Sequence, residues 1–304
     1  MMRGKHVLIT GASSGTGLAM AIAFARLGAS VIMVSRDPER AAAAQNEVAR
    51  LATGAPPAVL LGDLASQADV RRLAMDVRGT APHLDVLINN AGAAFRQRQL
   101  SVDGIEKTLA TNHLGPFLLT TLLLHTLRDG QGGRIVSVTS GSHSGAIDFE
   151  NLELERGYGT LRAYGLSKAC NILFTYELAR RLEGTGVTSN CFDPGPTESN
   201  FGAAAGGFIG VVQRALGIFG VLRSAEASAR AGIYLGSSPE ATAISGKYFA
   251  RNGKPAESKP ITYDREVAKR LWAVSEALCS LRAVAVPVSV SPATGTASSR
   301  ARDQ

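Results

Sequence analysis

Short apolar, β-branched runs alternate along the chain with longer stretches in which alanine and leucine are interleaved with polar residues. His6–Ile9 precedes a glycine-rich loop and a predicted helix over Leu18–Leu27. Ser30–Val34 precedes a helix around Pro38–Leu51, and Val59–Leu61 one around Gln67–Val77. Val86–Ile88 leads into a loop and helical segments over Val102–Leu127. Arg134–Val138 is a strand, Tyr164–Leu182 a long helix and Val187–Phe192 another strand. The strand runs are nearly continuous in apolar character instead of alternating with polar residues. Such runs suit strands covered on both faces, so the pattern predicts a parallel sheet between helices. Repeated β-α units with right-handed crossovers give an α/β, doubly wound Rossmann domain.

Past Pro194 the pattern changes. The glycine-rich, apolar stretch Phe201–Val221 is read as a mobile helical cover or as a packing surface for the domain or a second subunit. Ala225–Leu235 reads as a helix, Gly246–Phe249 as a last strand and Arg265–Leu281 as a closing helix. From about Ala283 the composition turns to Pro, Ser, Thr, Ala and Arg, which predicts a disordered tail over 282–304.

Composition adds limits. The chain has 304 residues, enough for one large core, with 45% hydrophobic and 19% charged residues. The 32 basic against 25 acidic residues give a net charge of +7. The basic residues are scattered and no recognition motif accompanies them, so nucleic acid is not an expected partner. Cys170, Cys191 and Cys279 have no metal or redox spacing and read as buried thiols in a reducing compartment. With no signal-peptide pattern, membrane anchor or bilayer-length apolar run, the sequence reads as that of a cytoplasmic protein.

The first predicted strand ends in Thr10-Gly11-Ala12-Ser13-Ser14-Gly15-Thr16-Gly17. Glycines at 11, 15 and 17 let a backbone turn tightly and bring N–H groups to a pyrophosphate at a helix N-terminus. The second strand ends in Ser35-Arg36-Asp37. NAD sites usually place a carboxylate there for the ribose hydroxyls. Arg36 in that position would pair with a 2′-phosphate, so NADP(H) is favoured. Asp37 follows directly and leaves NAD(H) open.

The spacing G-x-x-x-G-x-G, with Asp63-Leu64, Asn89-Asn90-Ala91-Gly92, Asn112, Ser140, Tyr164, Lys168 and Pro194-Gly195-Pro196-Thr197 in order, resembles the short-chain dehydrogenase/reductase family. Within it, Leu173–Leu182, Ser245–Phe249 and Lys269–Trp272 are similar to retinol dehydrogenase-like reductases, whose bacterial relatives include ketoreductases of anthracycline pathways. The resemblance covers residues 4–281 and implies one NADP(H)-binding domain over 1–281. It implies that Gly11, Ser13, Ser14, Gly15, Thr16, Gly17, Arg36, Asp63, Leu64, Asn90, Ala91, Gly92, Pro194, Gly195 and Thr197 contact the cofactor, with Tyr164 and Lys168 reaching it from the helix. It implies catalytic roles for Tyr164, Lys168, Ser140 and Asn112, the last holding a water that links the lysine to solvent.

Carbonyl reduction needs a hydride at carbon and a proton at oxygen. Tyr164 is the expected proton donor and acceptor. Lys168 stands one helical turn on, on the same face, and its charge is expected to lower the tyrosine pKa. Ser140 is expected to hold the substrate oxygen, with Ser142 as a possible substitute. His113 and His143 read as polar surface or pocket residues. A serine hydrolase is set aside because the chain is read as lacking a nucleophile elbow, G-x-S-x-G.

Apolar residues in the expected loops, including Phe149, Leu152, Phe201 and Phe219, point to a bulky hydrophobic or aromatic ketone, aldehyde or secondary alcohol. A polyketide of antibiotic biosynthesis is one such substrate and a retinoid another. A homo-oligomer through the long helix is a further expectation. The competing readings are a cofactor-binding regulatory protein without turnover and, less favoured by the glycine spacing, an epimerase or dehydratase.

Overall fold

The computed structural model describes residues 2–129, 132–196 and 224–281. Thr197, the 201–222 stretch and residues 282–304 lie outside these described residues. The expectations for a pocket cover, a carboxamide contact and a disordered tail fall there.

Eight strands form one sheet: β1 (His6–Thr10), β2 (Ser30–Ser35), β3 (Ala58–Leu61), β4 (Val86–Asn89), β5 (Arg134–Val138), β6 (Thr188–Phe192), β7 (Tyr248–Phe249) and β8 (Pro255–Ala256). Their order is β3-β2-β1-β4-β5-β6-β7-β8. Every pairing is parallel except β7 with β8, which is antiparallel. The sheet is therefore the mostly parallel, doubly wound Rossmann type that the apolar runs predict. The short edge strand β8 was not visible in the sequence pattern.

The central strands β1 and β2 are apolar along most of their length because both faces are covered. Leu8 and Ile32 point into one core layer, whereas Val7, Ile9, Val31 and Met33 point into the other, and all are at most 2% exposed. Side chains of adjacent strand residues leave opposite faces, so each strand supplies both cores. One face carries α1 (Gly15–Arg26), α2 (Pro38–Leu51) and a helix at Ala225–Ser237. The other carries α3 (Gln67–Thr80), α4 (Lys107–Leu109), α5 (Gly115–Asp129), α6 (Thr160–Arg181) and the closing helix Arg265–Leu278. In chain order these last helices on the two faces are α7 (Ala225–Ser237) and α8 (Arg265–Leu278).

Local chemistry sets the helix ends. Asp37 caps α2 by accepting the Arg40 N–H at 3.1 Å, and Ser66 caps α3 through the Asp69 N–H at 3.3 Å. The helical run after β4 starts at Lys107, later than the expected Val102, because Glu106 accepts the N–H groups of Thr108 and Leu109. Between α4 and α5 the helix widens into a π-turn at Ala110–Leu114, which contains Asn112 and His113.

Strand order reverses between β1 and β4. Loops leaving their carboxyl ends diverge there and open a crevice, the usual ligand position in such sheets.

Candidate active site

The crevice has a volume of about 640 Å³. It brings together residues far apart in sequence: the glycine loop, the end of β2, the 90–93 turn, Ser140, Tyr164, Lys168 and the 193–196 turn.

The glycine loop is shaped by contact as well as by turning. Gly11 sits at φ +65, and a Cβ there would lie 2.9 Å from the Ala91 Cα. A Cβ on Gly17 would collide with the Gly11 carbonyl oxygen and the Asn90 amide nitrogen. Asn90 Nδ2 donates to the carbonyls of Thr10, at 2.9 Å, and Gly11, at 3.1 Å. Thr10 Oγ1 in turn accepts the N–H groups of Asn90 and Ala91 at 3.0 and 3.1 Å. Asn90 thus lines the crevice, but its amide is spent locking the 90–92 turn to the loop. The α1 N-cap, Ser14, makes no side-chain bond to the helix, and no acid occupies the first turn. The first-turn N–H groups there suit an anion.

The backbone cradle fits a dinucleotide. Gly11, Gly15 and Gly17 supply its close approach, and Ser13, Ser14 and Thr16 its rim. Asp63, Leu64, Ala91, Gly92, Pro194 and Gly195 line the remainder. At the end of β2, Arg36 is exposed and faces the same crevice. Asp37 does not compete freely for a ribose. Its carboxylate caps α2 and pairs with Arg40 Nε at 3.3 Å. Arg40 also lines the crevice and is a second cation that the sequence pattern did not single out.

At the other end, the Ser140 side chain stands beside the Tyr164 phenol and favours its ionised form. Ser140 Oγ also accepts the Ser142 N–H at 3.1 Å. The geometry therefore selects Ser140 over Ser142 as the phenol's partner. Lys168 is 3% exposed, and its Nζ donates to the Val138 carbonyl at 2.9 Å. The same nitrogen lies 5.5 Å from the Tyr164 ring centroid. Gly92 stands beside the lysine: a Cβ there would sit in contact with Nζ at 3.5 Å.

One expectation is reversed. The Tyr164 phenol is pushed up to about 12, first by burial and then by the Asp193 carboxylate, with the Ser140 side chain only partly offsetting this. Burial also lowers Lys168 to about 8, with Asp193 opposing. In the chain alone, burial dominates the phenol's pKa.

Asn112 is fully buried. Its Oδ1 accepts the Ala93 N–H at 2.7 Å, and Nδ2 donates to the Ala93 carbonyl at 2.9 Å and to Ser167 Oγ at 3.0 Å. The side chain holds the turn after β4, and the Asn112 carbonyl accepts from Asn171 Nδ2 at 2.9 Å. Asn112 Oδ1 and the Lys168 ammonium both stand near Gly92.

The histidines differ from expectation too. His113 is 1% exposed, neither surface nor pocket, between Asn171 and Ser275. Burial lowers its pKa to about 4. His143 is buried behind the Ser140 loop. Its Nε2 accepts the Lys259 N–H at 2.9 Å, so its Nδ1 carries the proton and donates to the Ser140 carbonyl at 2.8 Å. Leu152, an expected pocket wall, packs into the core, and Phe149 packs against that core under the Arg270 guanidinium. The run Gly11-Ala12-Ser13-Ser14-Gly15 does match G-x-S-x-G, contrary to the sequence reading. Ser13 Oγ meets Ser35 Oγ at 3.2 Å, however, and no histidine is among the described residues lining the crevice.

Residues 5–206 match the family model for short chain dehydrogenases. Mouse retinol dehydrogenase 14 is 41% identical over 297 residues, covering 92% of this chain and 87% of that protein. A Streptomyces protein named "Putative daunorubicin C-13 ketoreductase DnrU" is 39% identical, covering 90% of this chain and 92% of its own. Among solved structures, an uncharacterised Mycobacterium paratuberculosis protein superposes with a TM-score of 0.73 at 33% identity, covering 91% of this chain and 94% of its own. An NADP complex of Pseudomonas aeruginosa RhlG has a TM-score of 0.67 at 27% identity, covering 83% of this chain and 96% of its own. A Brucella melitensis 3-ketoacyl-(acyl-carrier-protein) reductase with NADH has a TM-score of 0.65 at 25% identity, covering 83% and 100%. No helix among the described residues is long and apolar enough to cross a membrane. The chain belongs to the short-chain dehydrogenase/reductase family of oxidoreductases, which act on alcohols and ketones with a nicotinamide cofactor.

Proposed function

We propose that the protein is an NADPH-dependent carbonyl reductase working in the cytoplasm on a bulky hydrophobic or aromatic ketone or aldehyde. The observation that carries this reading is the convergence of a phenol, a serine hydroxyl and a buried ammonium in the crevice that also holds the glycine loop.

The nicotinamide would supply the hydride. Tyr164, protonated up to about pH 12 in the chain alone, gives its proton to the carbonyl oxygen. That value keeps the phenol in the protonated form a donor must hold, though it makes it a weaker acid. Ser140, oriented by the Ser142 N–H, hydrogen-bonds the same oxygen as it gains charge. Lys168 uses one of its three N–H donors on Val138, which would leave the others for the cofactor ribose. Asn112 fixes the turn against which the lysine packs.

NADPH over NADH rests on Arg36 and Arg40 at the end of β2 and on the prior engagement of Asp37. A hydrophobic substrate is supported by the names of two relatives, "Retinol dehydrogenase 14" and "Putative daunorubicin C-13 ketoreductase DnrU". The second of these favours a polyketide of antibiotic biosynthesis.

The test is turnover on aromatic polyketide ketones, retinal and small polar sugars with each cofactor. The expected result is NADPH consumption with one of the first two classes. Preference for sugars would overturn the substrate class. Tight NADPH binding without turnover on any carbonyl would favour a binding protein instead.

A further inference from the structure

The turn after β6 holds an acid that the reaction scheme above does not use. Asp193 is 5% exposed. Its Oδ1 accepts the Gly195 N–H at 2.9 Å, and its Oδ2 accepts from Arg251 Nε at 3.1 Å. Arg251 comes from the turn between β7 and β8, is half-exposed and lines the crevice. The pair is packed against the serine loop. A Cβ on Gly141, the residue after Ser140, would lie 2.8 Å from Asp193 Oδ2 and 3.5 Å from Arg251 Nη2. A side chain on residue 141 would crowd the Asp193 carboxylate.

We infer that Asp193 and Arg251 are a positioning pair that sets the charge balance of Lys168 and Tyr164. This rests on the reductase reading of the site. The buried carboxylate supports the lysine ammonium, and Arg251 neutralises the carboxylate so that it does not overburden the phenol. Charged and titratable groups surround it from each neighbouring element. Lys168 and Tyr164 face it from α6, His143 from the serine loop, Tyr248 from β7 and Arg251 from the β7–β8 turn. On Tyr164, Lys168, His143 and Tyr248 alike, the carboxylate favours the protonated form. Removing Arg251 strengthens that pull, and removing the carboxylate abolishes it. Sequence reasoning left Asp193 without a role and did not notice Arg251, since 58 residues separate the partners.

The test follows the ¹³Cε resonance of Lys168 in cofactor-free protein from pH 6 to 11, assigned by its loss in Lys168→Arg. This readout needs no turnover, so it stands apart from the substrate and cofactor proposals. Arg251→Gln should raise the Lys168 midpoint, and Asp193→Asn should lower it, each by roughly one pH unit. Arg251→Lys should restore it, and the double variant should lie near the wild type. The pH profile of kcat/KM for carbonyl reduction should move in the same directions. Midpoints unmoved in both single variants, with folding intact by circular dichroism, would overturn the inference. So would a uniform fall in kcat with no displacement of the pH profile. If the NMR midpoints move as stated but no carbonyl is reduced, the reductase reading fails while the electrostatic coupling stands.

Discussion

Tyr164 and Lys168 carry the strongest residue-scale predictions, because burial drives their pKa values apart. The phenol stays protonated up to about 12, whereas the lysine loses its charge near 8. In the reductive direction, kcat/KM should therefore fall as pH rises through about 8. A stopped-flow pH series would measure it, and a profile flat to pH 10 would remove Lys168 charge from the account. Ser140→Ala should lower kcat about 10²-fold with KM little changed, as loss of one oxyanion donor does. Arg36→Asp should weaken NADPH binding by about 1.5–3 kcal/mol relative to NADH. Fluorescence titration of both cofactors checks this, and an unchanged NADPH affinity would contradict the 2′-phosphate assignment. The motif residues were legible because their order and spacing are local in sequence. Arg40, Arg251 and the His143–Lys259 contact were not, because their roles come from partners brought together by folding.

At the scale of elements, the helical run after β4 shows what the pattern hides. Its pattern reads as helical segments over Val102–Leu127 without marking their join, where five residues from Ala110 to Leu114 form a π-turn. That widening places Asn112 against the 93 backbone and His113 between Asn171 of α6 and Ser275 of α8. The His113 contacts tie three elements together around a neutral imidazole. In the unfolded chain the ring titrates at 6.5, and in the folded protein at about 4. Its stabilising contribution is therefore complete above pH 6.5 and is lost as pH falls through 4, an effect of about 3 kcal/mol. Denaturant unfolding at several pH values should show this slope, and His113→Gln should flatten it. An equal acid slope in the variant would place the titration elsewhere. The glycine loop gives a steric counterpart. Gly17→Ala drives a methyl into the Gly11 carbonyl and the Asn90 amide, and should cost about 1–3 kcal/mol and loosen cofactor binding. The strands were readable almost to the residue because each feeds two buried layers. The two-residue strand β8 was too short to leave a period.

For the whole molecule, the strand order puts the crevice at the reversal between β1 and β4, and every element that lines it enters from that edge. Continuous apolar strands announced a parallel sheet. The strand order was not legible, because periodicity cannot rank neighbours in a sheet. The one arrangement on which the account depends is the Tyr164–Ser140–Lys168 cluster opening onto a dinucleotide cradle. The most direct test compares wild type and Tyr164→Phe in parallel, measuring NADPH affinity by fluorescence and NADPH oxidation with a hydrophobic aromatic ketone. The account predicts near-equal affinity and a fall in kcat of about 10²–10⁴, the range of a lost general acid. Equal turnover by both proteins would show that the proton comes from elsewhere and would contradict it.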